Sequence, residues 1–186
     1  VIIIGVDPGS TTGLAVLALV DDRYQCLHVE QIAAGVFPDR LGVVVTDLLA
    51  TGQLDAETQP ALFGGGTVVT GVADGALLIA TEAFVVRGRA ARSRTHQGSE
   101  HARRINGWLE SVGKSNGGCR ISTRSASQVK KWATDRRLAA AGILEQTRGM
   151  GHARDAQRHA LFAARMDLQW PDPLSVSYPK QSVTQK

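Results

Sequence analysis

IIIGVDPGSTTGLAVL, residues 2–17, sets a run of core-forming residues against one carboxylate, Asp7, followed at once by Pro8 and Gly9. An unpaired buried carboxylate is expensive, so Asp7 either belongs to a surface turn or is held in place to meet a cation. Ile2 to Asp7 reads as a buried strand, and Gly13 to Val20 resumes the apolar pattern after a glycine-rich turn. A hairpin is the natural joint between them.

Working outward, YQCLHVEQI (24–32) alternates as a third strand after an Asp21-Asp22 turn. Pro38 opens PDRLGVVVTDLLATG, where the early proline, the apolar spacing and Gly52 past the end predict a helix, with Val43 to Val45 as its weak point. Residues 53–75 hold a glycine triplet and no period, and read as a loop or insertion. ALLIATEAFVV (76–86) is a further apolar strand carrying a second lone carboxylate, Glu82. Ser99 to Ser111 reads as helix, CRIST (119–123) as a short strand and SASQVKKWATD (125–135) as a capped amphipathic helix. A short helical stretch from Arg136 to Thr147 precedes GHARDAQRHALFAARM (151–166), a helix rich in Ala. The pattern predicts one mixed α/β or α+β domain over 1–170, with 171–186 as an extended or disordered tail.

No stretch approaches the roughly eighteen consecutive apolar residues of a membrane span. The opening segment lacks a basic leader, so a cytoplasmic protein with no membrane partner is expected. Two cysteines, Cys26 and Cys119, are too few for a disulfide framework or a cysteine-based zinc site. The net charge of +4 conceals a division. Up to Val86 there are two basic against ten acidic residues, and from Arg87 onward nineteen against seven. The basic half has the signature of a polyanion partner. Its densest part carries Arg87, Arg89, Arg92, Arg94, Arg103 and Arg104 with only Glu100 to offset them. Guanidinium groups grip phosphate in a two-pronged fork, which favours nucleic acid over a merely solvated surface.

His152, Asp155 and His159 fall at i, i+3 and i+7 of the last helix and share one stripe, flanked by Ala156, Ala160 and Ala163. Small residues let a helix approach a sheet closely. With Asp7 and Glu82 from strands, the stripe would complete a cluster of three carboxylates and two imidazoles that asks for cations. Oxygen-rich ligands suit Mg²⁺ or Mn²⁺, and the chemistry of such sites is in-line displacement at phosphorus. Each residue also has a plainer role. Asp7 could form an Asx turn, Glu82 a structural salt bridge, His152 a helix cap, Asp155 a partner for the helix dipole, and His159 a half-buried imidazole. Phe84 lies on the face of Glu82 and reads as core packing or as a base-stacking ring.

IIGVDPGSTTG, IATEAF, SASQVKKWATD and HARDAQRHAL, in this order and spacing up to about Met166, resemble the RuvC-type Holliday-junction resolvases of the RNase H-like superfamily. The resemblance implies a five-stranded mixed β-sheet flanked by helices and a homodimer. It implies cleavage of branched DNA, four-way junctions and forks, with two Mg²⁺ or Mn²⁺ ions per active site and no small-molecule cofactor. On it, Asp7, Glu82, His152 and Asp155 are catalytic and hold the metal, and the helix stripe adds His159 as a further candidate metal ligand. Lys130 and Lys131 join the arginines as phosphate contacts. The products would be 5′-phosphate and 3′-hydroxyl ends. The turn is one residue shorter than in cellular members, residues 53–75 are extra, and the family's aromatic wedge does not align with Phe84. Such a compact, divergent chain resembles bacteriophage-encoded members, which act in the host cytoplasm. Three alternatives stay open: a non-catalytic junction-binding protein of the same fold, an ATP-binding fragment of the actin-like or sugar-kinase superfamily, and an RNA-directed nuclease.

Overall fold

The computed structural model describes residues 1–20, 23–50, 77–83, 96–115 and 119–175. Five strands, β1 (Ile2–Asp7), β2 (Thr11–Val20), β3 (Arg23–Ala33), β4 (Leu77–Glu82) and β5 (Cys119–Arg124), form one sheet in the order β3-β2-β1-β4-β5. β1, β2 and β3 pair antiparallel as a meander, while β4 and β5 add in parallel on the far side of β1. Parallel neighbours need long crossovers, and helices supply them. α1 (Phe37–Ala50) lies between β3 and β4, and α2 (His96–Ser115) between β4 and β5. Then follow α3 (Ala126–Trp132), α4 (Asp135–Ala140) and α5 (Gly151–Asp167). This is the α/β architecture that the resemblance implies, a five-stranded mixed sheet flanked by helices.

Both faces of the sheet are covered. Ile2, Ile4 and Val6 of β1, with Leu77 and Ile79 of β4, pack on Phe37, Leu41 and Val44 of α1 and on Ile105, Leu109 and Val112 of α2. Ile3, Leu17, Leu78 and Ala80 pack on the opposite side in one cluster with Ala160, Leu161 and Ala164 of α5 and with the fully buried Ala133 and Leu138. β1 is buried along its whole length, which is why its sequence is a continuous apolar run.

Most boundaries follow local chemistry. Ser125 caps α3, its side chain accepting from the Gln128 N–H, and Thr134 caps α4 in the same way through Arg137. The expected single helical stretch over 136–147 is instead two pieces, α4 and a 3₁₀ turn at Leu144–Thr147. Gly142, at φ 74°, breaks the helix between them. The expected helix over 99–111 runs longer, from His96 to Ser115. After α5 the chain folds back: the Tyr24 hydroxyl donates to the Pro171 carbonyl at 3.3 Å, Arg137 pairs with Asp172 at 2.7 Å, and Leu174 is buried. The Asp21-Asp22 turn, residues 53–75, Phe84 and residues 176–186 lie outside the described residues.

Candidate active site

The pairing register lays three rows across β2, β1 and β4 on the face toward α5. Leu17, Ile3 and Leu78 form a bulky row, and Ala15, Gly5 and Ala80 a small one. One step further, Gly13 pairs with Asp7, and Glu82 follows the Val6–Thr81 pair. Side chains alternate between faces along a strand, so large, small and acidic residues succeed one another toward the same end of β1 and of β4. Asp7 is 6% exposed. Asn106 of α2 steadies the neighbouring end of β4: its amide donates to the Glu82 carbonyl at 3.0 Å, and its oxygen accepts from the Thr81 hydroxyl at 2.8 Å.

The small row sets the height of α5. A Cβ built on Gly5 would lie 2.1 Å from the Ala156 carbonyl oxygen, and one on Gly13 would lie 1.9 Å from that of His152. The helix therefore rests backbone to backbone on the sheet at its N-terminal half. Its first turn has no side-chain cap of its own; Gln31 of β3 provides one, its Oε1 accepting from the His152 N–H at 2.8 Å. His152 then stands at the rim, its side chain 50% exposed, with Nδ1 2.7 Å from Asp7 Oδ2. His159, two turns along, is buried.

Asp7 and Glu82 lie within hydrogen-bonding reach of one another, so the charge on each bears on the other. Burial raises Asp7 above its ordinary value, against the opposing hydrogen bonds from His152 and Glu82. Burial, then the hydrogen bond and negative charge of Asp7, push Glu82 up to about 7, while Lys130 pulls it down. Burial thus raises both carboxyls, and the contact between them places the proton on Glu82 rather than on Asp7. Asp155 is close enough for its charge to raise both acids further. Burial drives His159 down to about 4 against the pull of Asp155, so its ring is neutral at pH 7.

Asp155 departs from the expected open ligand. Oδ2 pairs with the Lys130 ammonium at 2.7 Å, and Oδ1 pairs with the Arg158 guanidinium. Lys130, expected as a phosphate contact, pairs with a carboxylate in this arrangement while its side chain stays half exposed. Among the described residues no three Asp, Glu, His or Cys side chains stand as a ready metal cage. The expected five-ligand set of Asp7, Glu82, His152, Asp155 and His159 is therefore gathered but not closed, because Asp155 is drawn toward two cations and His159 lies buried in the helix interior. The donors still fit a hard divalent ion in kind. Two adjoining carboxylates, one of them still protonated near pH 7, beside an imidazole, are donors on which such an ion can replace a proton.

Of the expected phosphate contacts, Arg103 and Arg104 lie exposed on α2, and Lys131 is exposed on α3. Arg87, Arg89, Arg92 and Arg94 lie outside the described residues. Sequence reasoning passed over Gly5, Gly13, Gln31, Asn106 and Arg158. A period-two reading of both acid-bearing strands would have found Gly5, since Ile-x-Gly-x-Asp and Leu-x-Ala-x-Glu share one form.

No protein-family model matches the chain, and no curated protein matches it. Among solved structures the chain is similar to "T. thermophilus RuvC in complex with Holliday junction substrate", at 19% identity over 89% of this chain and 95% of that one, with a TM-score of 0.48.

Proposed function

We propose that the protein is a divalent-metal-dependent endonuclease that resolves four-way DNA junctions as a homodimer. The observation that carries this reading is the meeting of Asp7, Glu82 and Asp155, from three distant segments, at one end of the sheet beside His152. So many acids in one place do not stabilise a fold, since burial and mutual repulsion both oppose their charges. They serve a site.

Mg²⁺ or Mn²⁺, two per site, would be held by Asp7, Glu82 and Asp155 with His152 at the rim, and when bound would supply charge stabilisation at phosphorus and an activated water. The chain's own contribution starts with Glu82, whose raised carboxyl would release its proton to solvent as the pair takes on its ligand role. His152 Nδ1 holds Asp7 in position from the solvent side. Lys130 offers an ammonium at the edge of the site, where the scissile phosphate would approach. His159, neutral and buried, lends no competing charge. Arg103, Arg104 and Lys131, with the arginines between residues 87 and 94, would read phosphate and shape, so binding is expected to weaken steeply with salt. A two-fold dimer presents two like sites to the two like strands of a two-fold junction.

The test is direct. Protein and Mn²⁺ are incubated with end-labelled four-way junction, fork, linear duplex and RNA–DNA hybrid side by side. Paired nicks near the crossover, absent on linear duplex, support the reading. Junction binding without cutting would favour a non-catalytic binder, and preferential cutting of the hybrid an RNA-directed nuclease.

A further inference from the structure

Two cations share Asp155, and they are held very differently. Lys130 reaches Oδ2 from the surface, its side chain 51% exposed. No second anchor beyond Asp155 is seen for its ammonium among the described ion pairs and hydrogen bonds. Arg158, on the next turn of α5, is 8% exposed and has each of its three nitrogens engaged. Nε donates to the Ala133 carbonyl at 2.8 Å, Nη1 to Asp155 Oδ1, and Nη2 to Asp135 Oδ1 at the start of α4. Arg154 adds to the same end of α4, 3.6 Å from Asp135. A guanidinium fixed at three points cannot leave without breaking three contacts at once and orphaning the buried Ala133 carbonyl, whereas an ammonium on a solvated stem can swing away.

The geometry points to Arg158 as a positioning residue: it pins Asp155 through Oδ1 and leaves Oδ2 as the exchangeable face, for which Lys130 and a divalent cation compete. This rests on the reading that the site takes such a cation. Loss of Arg158 then frees the carboxylate to turn away and weakens cation binding. Loss of Lys130 removes a competitor and strengthens it. A purely structural role for either residue would not give effects of opposite sign.

The experiment is a calorimetric Mn²⁺ titration of the full chain at pH 7.5 for wild type, R158Q, D135N and K130Q, with thermal melts of each. R158Q is expected to bind Mn²⁺ about tenfold more weakly, the scale of an outer-sphere defect, and its cleavage to recover at raised Mn²⁺. D135N, which keeps Arg158 but removes one anchor, should bind severalfold more weakly; it decides the matter if R158Q does not fold. K130Q should bind at least as tightly as wild type. Wild-type affinity in both R158Q and D135N, or weakening in K130Q to match R158Q, overturns the inference. Wild type that binds Mn²⁺ at the site without cutting junctions defeats the nuclease reading alone, and the isotherms still judge Arg158. Wild type that binds no Mn²⁺ overturns both.

Discussion

Toward α1 and α2 the sheet presents Ile2, Ile4 and Val6 from β1 and Leu77 and Ile79 from β4. Toward α5 the same two strands present Ile3, Gly5 and Asp7, and Leu78, Ala80 and Glu82. The first face is filled by branched side chains and rings and works as an ordinary core. On the second, side-chain volume falls away toward one end until the helix backbone rests on the strand backbone, and the row beyond is acidic. Both faces carry core, but only the face toward α5 ends in an acidic row, and the period-two alternation of two short strands is enough to confine the acids to it.

The largest effect that would sharpen this contrast is chemical. Asp7→Asn keeps the shape of the carboxylate but not its charge, and should lower junction cleavage on the order of 10²–10³-fold or more while leaving junction binding in a gel shift nearly unchanged. Equal loss of both would break the assignment of Asp7 to the reacting end.

Next comes the close contact under α5. Gly13→Ala drives a methyl into the His152 carbonyl, and is expected to cost about 1–3 kcal/mol in denaturant unfolding, with loss of cleavage as the first turn lifts. Ile4→Val on the other face should cost about 0.5–1.5 kcal/mol and leave the Mn²⁺ requirement untouched. A harmless Gly13→Ala would mean that helix height does not govern the site.

The pH dependence is smaller and has a definite sign. The Glu82 carboxyl titrates near 7 in the fold, above its ordinary 4.5, so the folded chain holds a proton that the unfolded chain has lost between those values. Stability from this group is present below pH 4.5 and is lost as pH rises through 7. Glu82→Gln is neutral throughout, and should raise the metal-free melting temperature at pH 8 by about 2–4 °C, corresponding to roughly 1 kcal/mol for a partly exposed group, with no gain at pH 4.5. Adding Mn²⁺ at pH 8 should raise the melting temperature of wild type but not of Glu82→Gln. The smallest effect is in binding: Arg104→Ala and Lys131→Ala should each lower the slope of log affinity against log salt by about 1 if each touches a phosphate.

How much of this could be read from the chain follows from the range of each signal. The strands, the late helix and the acids carry local marks: apolar runs, Pro-Gly punctuation, and a lone charge in an apolar context. His152, Asp155 and His159 share a helix stripe by spacing alone, though the stripe runs from the exposed rim at His152 to the buried interior at His159. What stayed hidden depends on partners far away in sequence. Gln31 caps a helix 121 residues later, and Lys130 turns from the solvent to Asp155. Arg158 carried no mark of burial inside an alanine-rich helix, although Asp155 one turn before it stands at pairing distance.

The most direct measurement of the central claim is an anomalous difference map from crystals soaked in Mn²⁺. The account predicts a peak between the Asp7 and Glu82 carboxylates at coordination distance, about 2.0–2.2 Å, with their mutual hydrogen bond gone. Saturating Mn²⁺ with no peak there, and the Asp7–Glu82 hydrogen bond intact, would contradict it.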